Sequence, residues 1–230
     1  MKIVQPKLYK LKRYHSSWRY ILRYILQSTV LRLFTKRYLN IRVAGLDNVK
    51  EVAKKGPFIV TPNHQSHFDT LAIIEVLPKN ISAKLAIGAA KDTFFKSYLK
   101  SKPIRALINT YPIDRDKSGM HRGVSQELIK SGVAIMIFPE GTRSRSGNIG
   151  KFHSGVARIS LACNTPIVPT VIVGTEQAWG VNNKKPRRGR HNVAIEFLPP
   201  IYPKDYLSAD NMIDKIEQQI KNRKKLFSNR

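Results

Sequence analysis

The stretch Phe58-Ile59-Val60-Thr61-Pro62-Asn63-His64-Gln65-Ser66-His67-Phe68-Asp69 passes within twelve residues from an apolar, β-branched run to a polar string. Runs of the first kind are buried strands of α/β sheets, and ligands gather at the carboxyl ends of such strands. The pattern recurs. Val133-Ala134-Ile135-Met136-Ile137 leads into Phe138-Pro139-Glu140-Gly141-Thr142-Arg143-Ser144, and Tyr111-Pro112-Ile113 ends in Asp114-Arg115. Strands are predicted over 57–61, 84–89, 110–113, 133–138, 167–173 and 193–198, and helices over 68–77, 93–108, 118–131, 153–163 and 205–227. Strands separated by helices of this length imply an α/β fold with a largely parallel central sheet flanked by helices. The basic end of the last helix, from Lys221 to Arg230, reads as frayed.

His64 and Asp69 are five residues apart, about 140° on a helix if both were helical. They meet if His64 stays in the turn and the helix begins after it, with Ser66 as N-cap and Asp69 in the first turn. Side chains there lean back toward the N-terminus, so Asp69 can reach the His64 ring. A carboxylate holding one imidazole nitrogen leaves the other as a base suited to deprotonating an alcohol near neutral pH. The plain alternative is a capping aspartate beside a turn histidine. A metal cluster of His64, His67 and Asp69 is a further reading, but no other His- or Cys-rich string supplies a ligand. Neither a Gly-x-Ser-x-Gly elbow nor a Walker-type phosphate loop occurs. In the second string Gly141 is free to take positive φ, Arg143 can fork onto a phosphate, and Thr142 adds a hydroxyl. Arg115 and Arg143, both at strand ends, suggest one anion pocket; a surface ion pair between Glu140 and Arg143 is the alternative.

Composition narrows the partner. The chain has 230 residues, with 41 Lys+Arg against 15 Asp+Glu for a net charge of +26. Such a field favours nucleic acid, acidic lipid or a phosphorylated substrate. The first acidic residue is Asp47, and eleven Lys/Arg precede it. A second basic run, Lys184-Lys185-Pro186-Arg187-Arg188-Gly189-Arg190, reads as an exposed loop, either merely solvated or docking an anion. The single cysteine, Cys163, excludes a disulfide framework and suggests a reducing compartment.

Residues 18–34 resemble a membrane span in apolar content but carry three arginines, each costing about 2.5–3.5 kcal/mol at the centre of an inserted helix. Trp18, Ile21, Leu22 and Ile25 share one helical face, and Arg19, Arg23 and Gln27 share the other. The stripe loses phase near Ser28-Thr29, implying two short helices with a bend. Basic, aromatic-rich amphipathic helices lie in the membrane interface. Residues 1–40 are therefore expected to form a membrane-docking element, with Trp18, Arg19, Ile21, Leu22, Arg23 and Ile25 at the surface, and residues 41–230 the main domain; packing on that domain is the alternative.

The ordered set NHQSHFD, PIDR, FPEGTRS and PIVPT resembles the four blocks of the glycerolipid acyltransferase family, over roughly residues 41–175. The resemblance implies that His64 is the general base for the acceptor hydroxyl and that Asp69 orients it. It implies that Arg115 contacts the acceptor phosphate, that Glu140, Gly141, Thr142 and Arg143 serve acceptor binding, and that Pro169 shapes the acyl pocket. An N-terminal two-helix docking element occurs in some members. Two departures stand out: Asn109 where the second block often opens with glycine, and Phe152-His153-Ser154-Gly155 where Phe-Lys-Lys-Gly is common. Lys151 can take the place of the missing cation.

The expected activity is transfer of a fatty acyl group from acyl-CoA or acyl carrier protein to the free hydroxyl of 1-acyl-sn-glycerol-3-phosphate. No cofactor or metal is expected, and the oxyanion donors are sought among backbone amides near the start of the 68–77 helix. Another lysophospholipid or glycerol-3-phosphate is the alternative acceptor. The expected place is the cytoplasmic face of the cell membrane, on an anionic surface. A nucleic-acid binder is the rival from composition, but no zinc-finger spacing or RNA-recognition signature supports it.

Overall fold

The computed structural model describes residues 9–90, 107–113, 123–145 and 147–228. The strands among them are β1 (Leu39–Ala44), β2 (Ile59–Pro62), β3 (Ala86–Ala90), β4 (Asn109–Ile113), β5 (Ile135–Met136), β6 (Ile167–Val173) and β7 (His191–Phe197). They form one sheet of seven strands in the order β1-β7-β6-β2-β5-β3-β4. Every pairing is parallel except that of β6 with β7. The helices are α1 (Tyr9–Lys12), α2 (Ser17–Leu26), α3 (Arg32–Tyr38), α4 (Leu46–Lys55), α5 (Asp69–Val76), α6 (Lys79–Ser82), α7 (Val124–Lys130), α8 (Gly155–Cys163), α9 (Thr175–Trp179) and α10 (Ala209–Ser228).

The period of two along each strand divides the apolar side chains between two cores. Val60, Ile87, Met136, Val168 and Ile172 face one layer, with Val49 and Val52 of α4 and Ala72, Ile73 and Ile74 of α5. Ile59, Ala86, Ile135, Ile167 and Val171 face the other, with Leu128 and Ile129 of α7, Val156 and Ala157 of α8, and Met212, Ile213, Ile216 and Ile220 of α10. Each fully buried Ile, Leu or Val is worth roughly 1.5–3 kcal/mol, so burial on both faces is what makes these strands continuous apolar runs.

All six predicted strands are present, their ends shifted by at most two residues, β5 being shortened at both ends. The helix expected over 93–108 lies almost wholly outside the described residues, as do residues 118–122 of the next one. β1, α1, α4, α6 and α9 are additions. β1 pairs with β7 along its full length, so the boundary expected between residues 40 and 41 falls inside a strand. The basic C-terminal end is ordered helix through Ser228, because Arg223 pairs with Glu196 (2.5 Å) and Ile220 is buried.

The N-terminal segment differs in an instructive way. Instead of a break, a π-helical turn at Gln27–Leu31 joins α2 to α3 and absorbs the loss of phase. Trp18, Ile21, Leu22 and Ile25 are exposed, Trp18 at 61% and Ile25 at 52%. Arg23 is not at the surface where it was expected: only 4% exposed, it donates from Nε to the Ala83 carbonyl (2.7 Å), and burial lowers its pKa to about 10. Gln27 is buried beside it, donating to the Leu107 carbonyl (3.0 Å) and accepting from Ser82 Oγ (2.7 Å). The polar face of this helix is turned inward because α6 and the strand leading from Leu107 offer carbonyl and hydroxyl partners that a lipid surface lacks. Arg19 stays outside, its guanidinium 4.7 Å from the Trp18 ring centre. No helix among the described residues is long and apolar enough to cross a membrane.

Candidate active site

β2 ends at Pro62, and Asn63 then continues its ladder with a side chain. Asn63 Nδ2 donates to the Ile172 carbonyl (2.9 Å), and Ile172 N–H donates to Asn63 Oδ1 (2.8 Å). The main chain is thereby free to leave the sheet at His64. His64 Nδ1 donates to Asp69 Oδ2 (2.8 Å), and its ring stacks on Phe138 with centroids 3.8 Å apart. The carboxylate accepts, so Nδ1 carries a proton, and in the neutral ring Nε2 is the nitrogen with the free lone pair.

Asp69 is fully buried and has more partners than its spacing from His64 suggested. Oδ2 also accepts from the backbone N–H of Gln65 (2.6 Å) and Ser66 (2.8 Å), and Oδ1 accepts from Thr175 Oγ1 (2.5 Å). A buried carboxylate accepting four hydrogen bonds is held in one place and orients one imidazole tautomer. Ser66 is not the N-cap: α5 begins at Asp69, and Ser66 Oγ lies between the Thr175 and Trp179 carbonyls at 2.9 and 2.8 Å. Of the backbone amides sought as oxyanion donors, four just before the helix are engaged here. Those of Gln65 and Ser66 serve Asp69, that of His67 donates to the Trp179 carbonyl (3.2 Å), and that of Phe68 donates to Ser66 Oγ (3.0 Å).

Gly141 takes φ +69°, as the turn after β5 was expected to require. Glu140, expected to help bind an acceptor phosphate, spans two backbone amides. Its Oε1 accepts from His64 N–H (2.7 Å) and its Oε2 from Gly150 N–H (2.9 Å), and burial raises its pKa against those two bonds. With both oxygens occupied, this nearly buried side chain holds the two loops together. The 144–150 loop is sewn on further by Ser144 N–H to the His64 carbonyl (2.8 Å). Gln65 Nε2 and Lys224 Nζ both donate to the Gly147 carbonyl, the lysine at 2.6 Å.

Arg143 reaches the same end of the sheet. Its Nη1 lies 2.5 and 2.7 Å from the ring nitrogens of His67, whose ring packs at a tilt against Trp179 (4.8 Å between centroids). Burial first, then the Arg143 charge, lower the His67 pKa. Thr142 is exposed beside it. Pro169 is buried inside β6 opposite Thr61, its carbonyl accepting from Leu198 N–H (2.8 Å). Arg115 lies outside the described residues. Among the described residues no group of three His, Cys, Asp or Glu is placed to hold a metal ion.

The structure thus brings His64, Asp69, Glu140, Gly141 and Arg143 to the carboxyl ends of β2 and β5. It adds Asn63, Gln65, His67, Thr175, Trp179 and Lys224, of which sequence reasoning weighed a role for His67 alone, as a metal ligand. Asn63, Gln65 and His67 lie in the first polar string itself, and Thr175 carried a weaker signal, since Gly174-Thr175 follows a buried strand as the other two strings do. A fixed acid–imidazole pair beside an arginine can remove a proton from a hydroxyl whose neighbouring phosphate is held in place.

The comparisons agree with this geometry. The family model described as Acyltransferase matches residues 40–173. A probable 1-acyl-sn-glycerol-3-phosphate acyltransferase of Mycoplasma pneumoniae is 30% identical over 75% of this chain and 68% of its own length. The 1-acyl-sn-glycerol-3-phosphate acyltransferase of Cocos nucifera is 30% identical over 63% of this chain, which spans 46% of that protein. The crystal structure of the 1-acyl-sn-glycerophosphate acyltransferase PlsC from Thermotoga maritima superimposes with a TM-score of 0.74 at 25% identity, over 92% of this chain and 82% of that one. The sheet, the two polar turns at its carboxyl end and a family match over more than half the residues agree: the chain belongs to the acyltransferase family.

Proposed function

We propose that this chain moves a fatty acyl group from a thioester, acyl-CoA or acyl carrier protein, to the free hydroxyl of 1-acyl-sn-glycerol-3-phosphate, giving phosphatidic acid. The observation that carries the reading is the His64–Asp69 pair, with the aspartate held by four donors. His64 Nε2 takes the hydroxyl proton as the oxygen attacks the thioester carbonyl. Asp69 stabilises the resulting imidazolium. The tetrahedral intermediate collapses, the C–S bond breaks, and the departing thiolate takes the proton from His64. The thioester is already activated, so the reading includes no further cofactor. Arg143, with Thr142, holds the acceptor phosphate, and Arg115 is assigned to the same anion. The acceptor is chosen because the relatives bear that activity in their names.

The outward-facing apolar side chains of α2 and α3 dock the protein on the cytoplasmic face of the cell membrane, where a lysolipid acceptor resides. An apolar stripe on the solvent side of a helix whose polar side is buried is otherwise unexplained. The test is thiol release from acyl-CoA or acyl carrier protein with a panel of lysolipids, product mass being read for each. His64→Ala is expected to lower kcat about 10²- to 10⁴-fold. Near wild-type transfer by a well-folded His64→Ala protein would remove the mechanism.

A further inference from the structure

The loop between α9 and β7 holds five cations in seven residues: Lys184, Lys185, Arg187, Arg188 and Arg190. All five are exposed. Among the described residues none of them enters an ion pair, whereas Lys50, Lys54, Lys79, Lys221 and Arg223 each find a carboxylate. A dense, uncompensated cationic loop repels itself, and its charge is satisfied from outside the chain.

The loop is anchored at both ends. Arg187 N–H donates to the Ala178 carbonyl (2.8 Å), Trp179 Nε1 donates to the Asn183 carbonyl (2.9 Å), and Gly180 bridges to Ser66 of the His64 turn. At the far end His191 is in register with Leu39, Asn40 Nδ2 donates to Asn192 Oδ1 (2.9 Å), and Arg190 Nη2 donates to the Leu39 carbonyl (3.4 Å). Leu39 directly follows α3. The loop therefore lies between the His64–Arg143 site and the helix whose Leu33 is 72% exposed, flanked by the exposed cations Arg32, Lys36 and Arg37.

We propose that the Lys184–Arg190 loop is a second membrane contact, a clamp for anionic lipid headgroups that holds the mouth of the site against the bilayer. The inference rests on the docking reading above and adds a separate element to it. A bilayer is the occupant that matches both parts of this surface, since an apolar helix face adjoins the cations. Nucleic acid or an acidic protein would cover the charges and leave Leu33 and Val30 in water.

The experiment measures partition of the full chain onto phosphatidylcholine vesicles with and without about 30% phosphatidylglycerol. It compares wild type with Lys184→Gln/Lys185→Gln/Arg187→Gln/Arg188→Gln, none of which packs in the core. The variant is expected to bind the anionic vesicles at least about tenfold more weakly, with a flatter salt dependence, and to bind the neutral vesicles as wild type does. Its thermal midpoint and its transfer to a dispersed short-chain acceptor are expected to stay unchanged. Equal partition of the two proteins onto anionic vesicles overturns the clamp and leaves helix docking standing. A raised KM for the acyl donor in the vesicle-free assay also overturns it, assigning the loop to the donor. Failure of wild type to bind either vesicle overturns the docking reading, and the clamp with it.

Discussion

At the scale of single residues, the base is only as good as the groups that hold it. Among the described residues Thr175 supplies the one donor to Asp69 Oδ1, from a segment over a hundred residues away. Thr175→Val keeps the volume and removes that donor, leaving a buried carboxylate oxygen unsatisfied at about 1–3 kcal/mol. The expected result is a fall in kcat of about tenfold, with KM for the acceptor nearly unchanged. A mainly raised KM would instead place Thr175 in acceptor binding. His67 carries a pH effect. Burial and Arg143 depress its folded pKa, with His64 adding a smaller push in the same direction and Asp69 and the Val181 carbonyl opposing. The unfolded chain therefore takes up the proton first, near the ordinary value of about 6.5. Stability from this group is present above that pH and is lost as pH falls through the folded value. His67→Gln is expected to lose part of the decline in urea midpoint between about pH 7.5 and about pH 5; parallel declines in the two proteins would rule His67 out.

At the scale of elements, α9 is a five-residue helix that sequence reasoning passed over, yet it supplies Thr175, the Trp179 ring and two carbonyls to the Ser66 hydroxyl. It exists because Gly174, at φ +93°, turns the chain where a Cβ would come within 2.2 Å of the Asn192 carbonyl oxygen. Gly174→Ala is expected to cost about 2 kcal/mol or more, read as a lowered thermal midpoint, and to lower kcat as well, because α9 must move off the β7 backbone. Unchanged kcat in a destabilised Gly174→Ala protein would show α9 to be scaffold alone. The six buried strands were legible because burial on both faces leaves an apolar run with no competing reading. β1 and α4 were legible in principle: Leu39, Ile41 and Val43 alternate, and Leu46, Val49 and Val52 recur at helical spacing. They were obscured by the basic segment before them, whose strong amphipathic period extends to their edge. The His64–Asp69 pair was readable from local spacing. Thr175, Glu140 as a brace, and Lys224 on Gly147 were not, because each depends on which strand ends and helix ends become neighbours.

At the scale of the whole molecule, charge and apolar surface are arranged to opposite ends of solubility. The net charge is +26, yet Trp18, Ile25, Val30 and Leu33 are each more than half exposed. Because these side chains pack on little, Trp18→Ser/Ile25→Ser/Leu33→Ser is expected to leave the thermal midpoint within about 2 °C of wild type and to reduce self-association in detergent-free buffer. A large drop in midpoint would mean that the stripe serves the fold and not a surface. The inward polar face points the same way, since Arg23 and Gln27 fasten the helix without using its apolar side. The side-chain splice at Asn63 has a consequence of its own. Ile172 sits within β6, but its amide proton is held by an amide side chain and not by a strand. Its exchange with deuterated solvent therefore follows the integrity of the turn that carries His64, a local clock for the site placed inside the sheet.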